Sequence, residues 1–150
     1  MDRQGRNRIL LWIIVLGLAN FVGYTFSYWY LGGDAPNGFV TGGRYHMRGH
    51  FIWAIAGKAS GPVSRSVWLY SYIHSISIWP TIAAVLVSML ILARPHIIAT
   101  MKSNAPVRGH TFVAICITVI VLLTGASTMI FIFDFAKALS TVAAGGSYNV

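Results

Sequence analysis

The chain has 150 residues, of which 56% are hydrophobic and only 9% charged. A soluble domain carries about 25% charged residues, so this inventory cannot cover a water-facing surface. Its 11 basic residues face three acids (Asp2, Asp34 and Asp134), with no glutamate, for a net charge of +8. The basic residues flank long apolar runs instead of forming one patch. That pattern argues against nucleic acid as a partner and for anionic lipid head groups.

In chain order, the first charge-free stretch runs from Ile9 to Gly33, behind the basic segment Arg3, Arg6 and Arg8. The second runs from Ser66 to Ala93 and the third from Thr111 to Phe133. Each exceeds the roughly 20 residues a helix needs to cross about 30 Å of hydrocarbon. Helices satisfy every backbone polar group internally, so three transmembrane helices are expected. The first stretch is longer than the apolar core of a signal peptide and is read as a retained anchor. The predicted fold is an all-α integral membrane protein forming a single membrane domain. Its parts are helix 1 (about 9–33), an outer loop (34–65), helix 2 (about 66–93), an inner loop (94–110), helix 3 (about 111–133) and a tail (134–150).

Orientation follows the lysines and arginines near the helix ends. Arg3, Arg6 and Arg8, with Arg94, Lys102 and Arg108, are packed more densely than Arg44, Arg48, Lys58 and Arg65 on the other side. The N-terminus is therefore expected in the cytoplasm, and the first loop and C-terminus outside. Phe26, Tyr28, Trp29 and Tyr30 close the first span, and Trp68, Tyr70 and Tyr72 open the second. Both clusters fall at the same outer interface, where amphipathic rings prefer to sit.

The outer loop starts with Gly-, Asn- and Pro-rich turn chemistry. It continues into the apolar run Phe51–Ala56, around Trp53, which is too short to span and is expected to lie partly in the interface. The tail from Ala143 to Val150 reads as flexible. Between helices, Ala19-x-x-x-Gly23 in the first span and Thr124-Gly125-Ala126-Ser127-Thr128 in the third offer small and hydroxylated contact faces. Gly23, Gly125 and Ser127 are accordingly candidate partner contacts, as are Arg44, Arg48 and Trp53 in the outer loop.

His74 is the leading candidate for chemistry. Its position in the second span places it about 9 Å from the midpoint, inside the hydrocarbon on the outer side. An intramembrane imidazole would serve as a haem ligand, a quinone hydrogen-bond partner or a proton carrier, or as a neutral structural residue. Pro80, a turn and a half further on, predicts a bend that leaves the Ile76 carbonyl unpaired, with Ser77 available to help. His46-x-x-x-His50 would present two imidazoles on one face if helical, but Gly49 disfavours helix and Arg44 and Arg48 repel a cation, so no metal is expected. Asp34 reads as an Asx-type turn residue. Cys116 is alone and builds neither a disulfide nor a cluster. No acid lies inside any span, and no nucleotide-binding, nucleophile-elbow or metalloprotease motif occurs.

The expectation is a non-catalytic accessory subunit of a larger membrane complex of respiratory, photosynthetic or transport type. It would pack its helices on other membrane protein subunits within the lipid bilayer, present a basic outer loop, and bind no cofactor. The expected location is the bacterial cytoplasmic (inner) membrane. Two alternatives are a haem b- or quinone-binding membrane anchor using His74, and a homo-oligomeric channel or carrier.

Overall fold

The computed structural model describes residues 2–51, 58, 60–101 and 107–149. Trp53, most of the apolar run of the first loop, and Lys102 lie outside the described residues. The elements in order are α1 (Arg3–Leu31), β1 (Asp34–Thr41), β2 (Arg44–Arg48), α2 (Arg65–Thr100), α3 (Gly109–Ala143) and β3 (Tyr148–Asn149). The protein is mostly helical, and all three helices are long and apolar enough to cross a membrane.

α2 and α3 outrun at both ends the charge-free stretches that mark them in the sequence, whereas α1 starts earlier, at Arg3, but stops at Leu31, short of Gly33. α2 continues through Arg94 and Pro95 to Thr100, and α3 through Asp134 and Lys137 to Ala143. A charge marks where lipid ends; it does not interrupt the hydrogen-bond ladder. At its start, α1 is capped by Asp2, whose carboxylate accepts the Gly5 N–H at 2.7 Å. This satisfies a donor that the helix cannot satisfy itself. At its end, Gly33 N–H donates to the Tyr28 carbonyl at 2.8 Å and Gly32 N–H to that of Trp29 at 3.3 Å. This pair of bonds is a Schellman stop, with Gly32 and Gly33 at φ +75° and +135°. A Cβ on Gly33 would also strike the Arg48 carbonyl, so glycine is required there for space as well as for conformation.

The chain contacts divide into two compact units. One comprises Met1–Asn20 and Trp79–Ser127. Within it, Gly17 packs so closely on Val85 that a Cβ would collide with a valine methyl. Asn20 Nδ2 donates to Thr81 Oγ1 at 3.1 Å, joining α1 to α2 just past Pro80. Gly109 sits against the backbone of Ile98, closing the start of α3 onto the end of α2. Arg94 donates to His110 Nδ1 at 3.2 Å.

The other unit comprises Phe21–Ile78 and Thr128–Val150 and contains a three-stranded sheet in the order β2-β1-β3. The outer loop, read from sequence as turns and interfacial chain, thus opens with a β-hairpin. Gly42 and Gly43 make its two-residue turn with φ +57° and +73°, the mirror-image conformation that matches strand twist. Antiparallel pairing sets Val40 opposite Tyr45 and also opposite Tyr148 of β3. The segment from Ala143 to Val150, expected to be flexible, therefore supplies an edge strand, and the tail before it, from Asp134, continues α3. Val40 and Tyr148 join Ala35, Trp68, Tyr72 and Ala138 in a buried cluster. Trp68 stands edge-on to Tyr72 at 5.1 Å, and Tyr72 lies 4.9 Å from Phe135. Small hairpins are marginal alone; this one is held by aromatic packing on the helix ends.

Candidate functional site

The chain reversal at Gly32–Gly33 carries Asp34 directly back beside α1. Asp34 is 2% exposed. Its Oδ2 accepts the Tyr24 hydroxyl at 2.9 Å, and its Oδ1 accepts Asn37 Nδ2 at 2.7 Å and the Asn37 N–H at 3.4 Å. The Asx geometry expected of Asp34 is present, within a larger network. All of these donors are neutral. Burial pushes the Asp34 carboxyl above its usual range, while the bonds from Asn37 and Tyr24 pull it back part of the way.

α2 supplies the other wall. Ser71 Oγ accepts the Ala35 N–H at 3.1 Å, and Ser75 Oγ donates to the Ser71 carbonyl at 2.9 Å and approaches the Tyr24 hydroxyl at 3.5 Å. His74 packs edge-on against Tyr24, with ring centroids 5.4 Å apart, and its Nδ1 shares a hydrogen bond with the Tyr70 hydroxyl at 3.0 Å. Tyr28, one turn after Tyr24, is 3% exposed. Its hydroxyl accepts the backbone N–H of His50 and, at 2.8 Å, that of Phe51. The helical spacing of four does this work three times, in Tyr24/Tyr28, Ser71/Ser75 and Tyr70/His74.

Tyr24, Tyr28, Asp34, Tyr70, Ser71 and His74 line a cavity of about 10 Å³. One water needs roughly 10–15 Å³ by the same measure, so neither a haem nor a quinone fits in it. Tyr72 packs on Phe135, which immediately follows Asp134 at the end of α3's charge-free stretch. His74 is two residues, about 3 Å, further along α2.

The remaining sequence candidates are separate from this cluster. Arg44 is exposed at the start of β2, and the Arg48 guanidinium lies 5.4 Å from the centroid of Phe39. Phe39 in turn stacks on His46 at 4.7 Å. His46 lies in β2 and His50 beyond it, so the pair does not share a helix face; His46 Nδ1 donates to the Ser60 carbonyl at 3.1 Å. Gly23 and Gly125 have nothing within 4 Å of a built Cβ, and Ser127 is half-buried. Thr124 is buried and its hydroxyl donates to the Ile120 carbonyl at 2.6 Å. Among the described residues no group of three or more His, Cys, Asp or Glu converges as for a metal. Sequence reasoning missed Tyr24, Tyr28, Ser71 and Ser75, whose signal was polar residues repeating every fourth position at the end of an apolar span.

Comparison of the chain with protein families, with curated proteins and with solved structures gave no match.

Proposed function

We propose that the protein is a non-catalytic subunit of a larger membrane assembly. The observation that carries this reading is the contrast between its two kinds of small residue. Gly17 is filled by Val85, whereas Gly23 and Gly125 are open on exposed helix surface. Small residues on lipid-facing helices are the usual means by which a second helix approaches closely. The helices otherwise face outward: only 6%, 17% and 6% of the most apolar windows of α1, α2 and α3 are buried within the chain. The polar residues at Asp34 fasten the hairpin to α1 and α2, a structural use of these side chains. The hairpin carries Arg44 and Arg48 to the outer side of a bacterial cytoplasmic membrane, where they meet an acidic partner surface or lipid phosphates.

Purification from native membranes in mild detergent tests this. The chain is expected in a stoichiometric complex with larger membrane subunits. Gly23→Leu and Gly125→Leu should reduce that co-purification at least several-fold while leaving the unfolding of the isolated chain within about 0.5 kcal/mol of wild type. A chain recovered alone from native membranes, unaffected by either substitution, would overturn the proposal. The haem or quinone alternative draws no support from the single-water room at His74; a Soret band lost in His74→Ala would reinstate it.

A further inference from the structure

The cavity beside Asp34 has the size of one water or of one ion of similar radius, at about 10 Å³. Its lining is rich in oxygen. Tyr24, Ser27 and Tyr28 of α1, Asp34 itself, and Tyr70 and Ser71 of α2 all border it, and all lie within one compact unit.

Asp34 brings a carboxyl to this wall without a cation to match it. Its bonded partners, Tyr24 and Asn37, are neutral donors. Arg48 stands opposite it in the β1–β2 ladder but sets its guanidinium over Phe39, and among the described residues it makes no ion pair with Asp34. The titratable groups facing the carboxyl are therefore Tyr24 and Tyr28 from α1, Tyr70 and His74 from α2, and Arg48 from β2. His74 has its Nδ1 engaged with the Tyr70 hydroxyl. A carboxyl buried in this way is accommodated when it is protonated, paired with a cation or bound to a metal ion.

α1 adds a second attraction for positive charge. The helix stops at Leu31, which also borders the cavity, and its last turn carries no basic residue. The negative end of the helix dipole is thus directed at the site, an arrangement by which helix C-termini coordinate sodium ions in membrane proteins. The hydroxyl oxygens can complete such a shell. Ser71 Oγ accepts one N–H and the Tyr24 oxygen accepts at most the long contact from Ser75, so each keeps a lone pair. One carboxylate among neutral oxygens suits a single positive charge, whereas calcium takes about six to eight oxygens in a much larger shell.

We propose that this cavity binds one alkali-metal ion, sodium or potassium, on the Asp34 carboxylate and the hydroxyl oxygens of Tyr24, Ser27 and Ser71. The ion exchanges with the Asp34 proton, which leaves to solvent, so one positive charge replaces another. Bound there, it ties the end of α1 and the start of the hairpin to α2.

The test is thermal unfolding of the full chain in detergent at constant ionic strength, with sodium or potassium chloride replacing N-methylglucamine chloride. At about pH 8 the midpoint should rise saturably by about 2–6 °C, and the salt that is half-maximal at the lower concentration identifies the ion. The gain should shrink as pH falls, because the proton competes for the same carboxylate, and Asp34→Asn should abolish it. Ser27→Ala should leave the midpoint in N-methylglucamine within about 1 °C of wild type. It should raise the half-maximal salt concentration about 3–10-fold through the lost ligand. Retention of radiolabelled sodium, or of rubidium in place of potassium, should approach one ion per wild-type chain and be lost in Asp34→Asn. If Asp34→Asn does not fold, the label count in wild type and its weakening in Ser27→Ala decide the question. Midpoints indifferent to both alkali salts, no retained label, or a gain that survives in Asp34→Asn overturns the proposal.

Discussion

Asp34 shows how a single carboxyl can govern a local structure. Its proton is held more tightly in the folded chain than in the unfolded chain, because burial outweighs the bonds from Asn37 and Tyr24. The stabilising contribution is therefore complete below the ordinary value of 3.8 and is lost as pH rises through the higher folded value. Wild-type stability in detergent should decline over that window, and Asp34→Asn should flatten the decline. The asparagine keeps the bond from Asn37 and lets the Tyr24 hydroxyl turn to accept. Tyr24→Phe acts in the opposite sense. It removes a donor from the buried carboxylate, should cost about 1–3 kcal/mol at neutral pH, and should steepen the decline. Unfolding curves at a series of pH values read both effects. A pH profile unchanged by Asp34→Asn would mean that this carboxyl does not titrate differently on folding.

At the scale of elements, the two ends of each helix are set by different physics, and this decided what the sequence revealed. The existence of three helices was plain from charge-free length, since lipid permits little else. Their ends were not, because the boundary residues were charges, and Arg94 or Asp134 is as compatible with a helix in water as with a loop. The hairpin was partly legible. Phe39-Val40-Thr41-Gly42-Gly43-Arg44-Tyr45 has the glycine pair and flanking β-formers of a tight hairpin, but reading the region as loop hid it. The two-residue β3 had no periodicity to detect, and only pairing with β1 defines it. Of the candidate site, His74 stood out because it was ionisable in an apolar run, whereas its tyrosine and serine neighbours looked like ordinary interfacial residues. Gly33→Ala tests the helix stop directly. With φ at +135° and the Arg48 carbonyl in the way, it should destabilise the hairpin by more than about 1 kcal/mol, detectable as faster proteolysis near Thr41–Arg44. Gly17→Leu should cost about 1–3 kcal/mol through overpacking on Val85, in contrast to the neutral effect expected at Gly23.

For the whole molecule, helix length and membrane thickness disagree in an informative way. α2 has 36 residues and α3 has 35, or roughly 54 and 52 Å at 1.5 Å per residue, against about 30 Å of hydrocarbon. The surplus is long enough to carry polar residues such as Asp134 and Lys137 past a charge-free span. The proposed orientation has a direct readout. With Cys116 replaced by alanine, single cysteines at Thr41 and Ser147 should react with a membrane-impermeant maleimide added to intact cells, and one at Gln4 should react only after lysis. The reverse pattern would invert the topology. The sheet carries a further consequence for biosynthesis. β1 leaves the ribosome before two helices have been made, yet its second neighbour, β3, is translated only after both of them. At 5–20 residues per second, one edge of β1 waits roughly 5–20 s for its strand partner. During that interval an open row of backbone donors and acceptors faces the translocation machinery and the crowded compartment beyond, a window in which a chaperone or a neighbouring nascent chain can pair with it first.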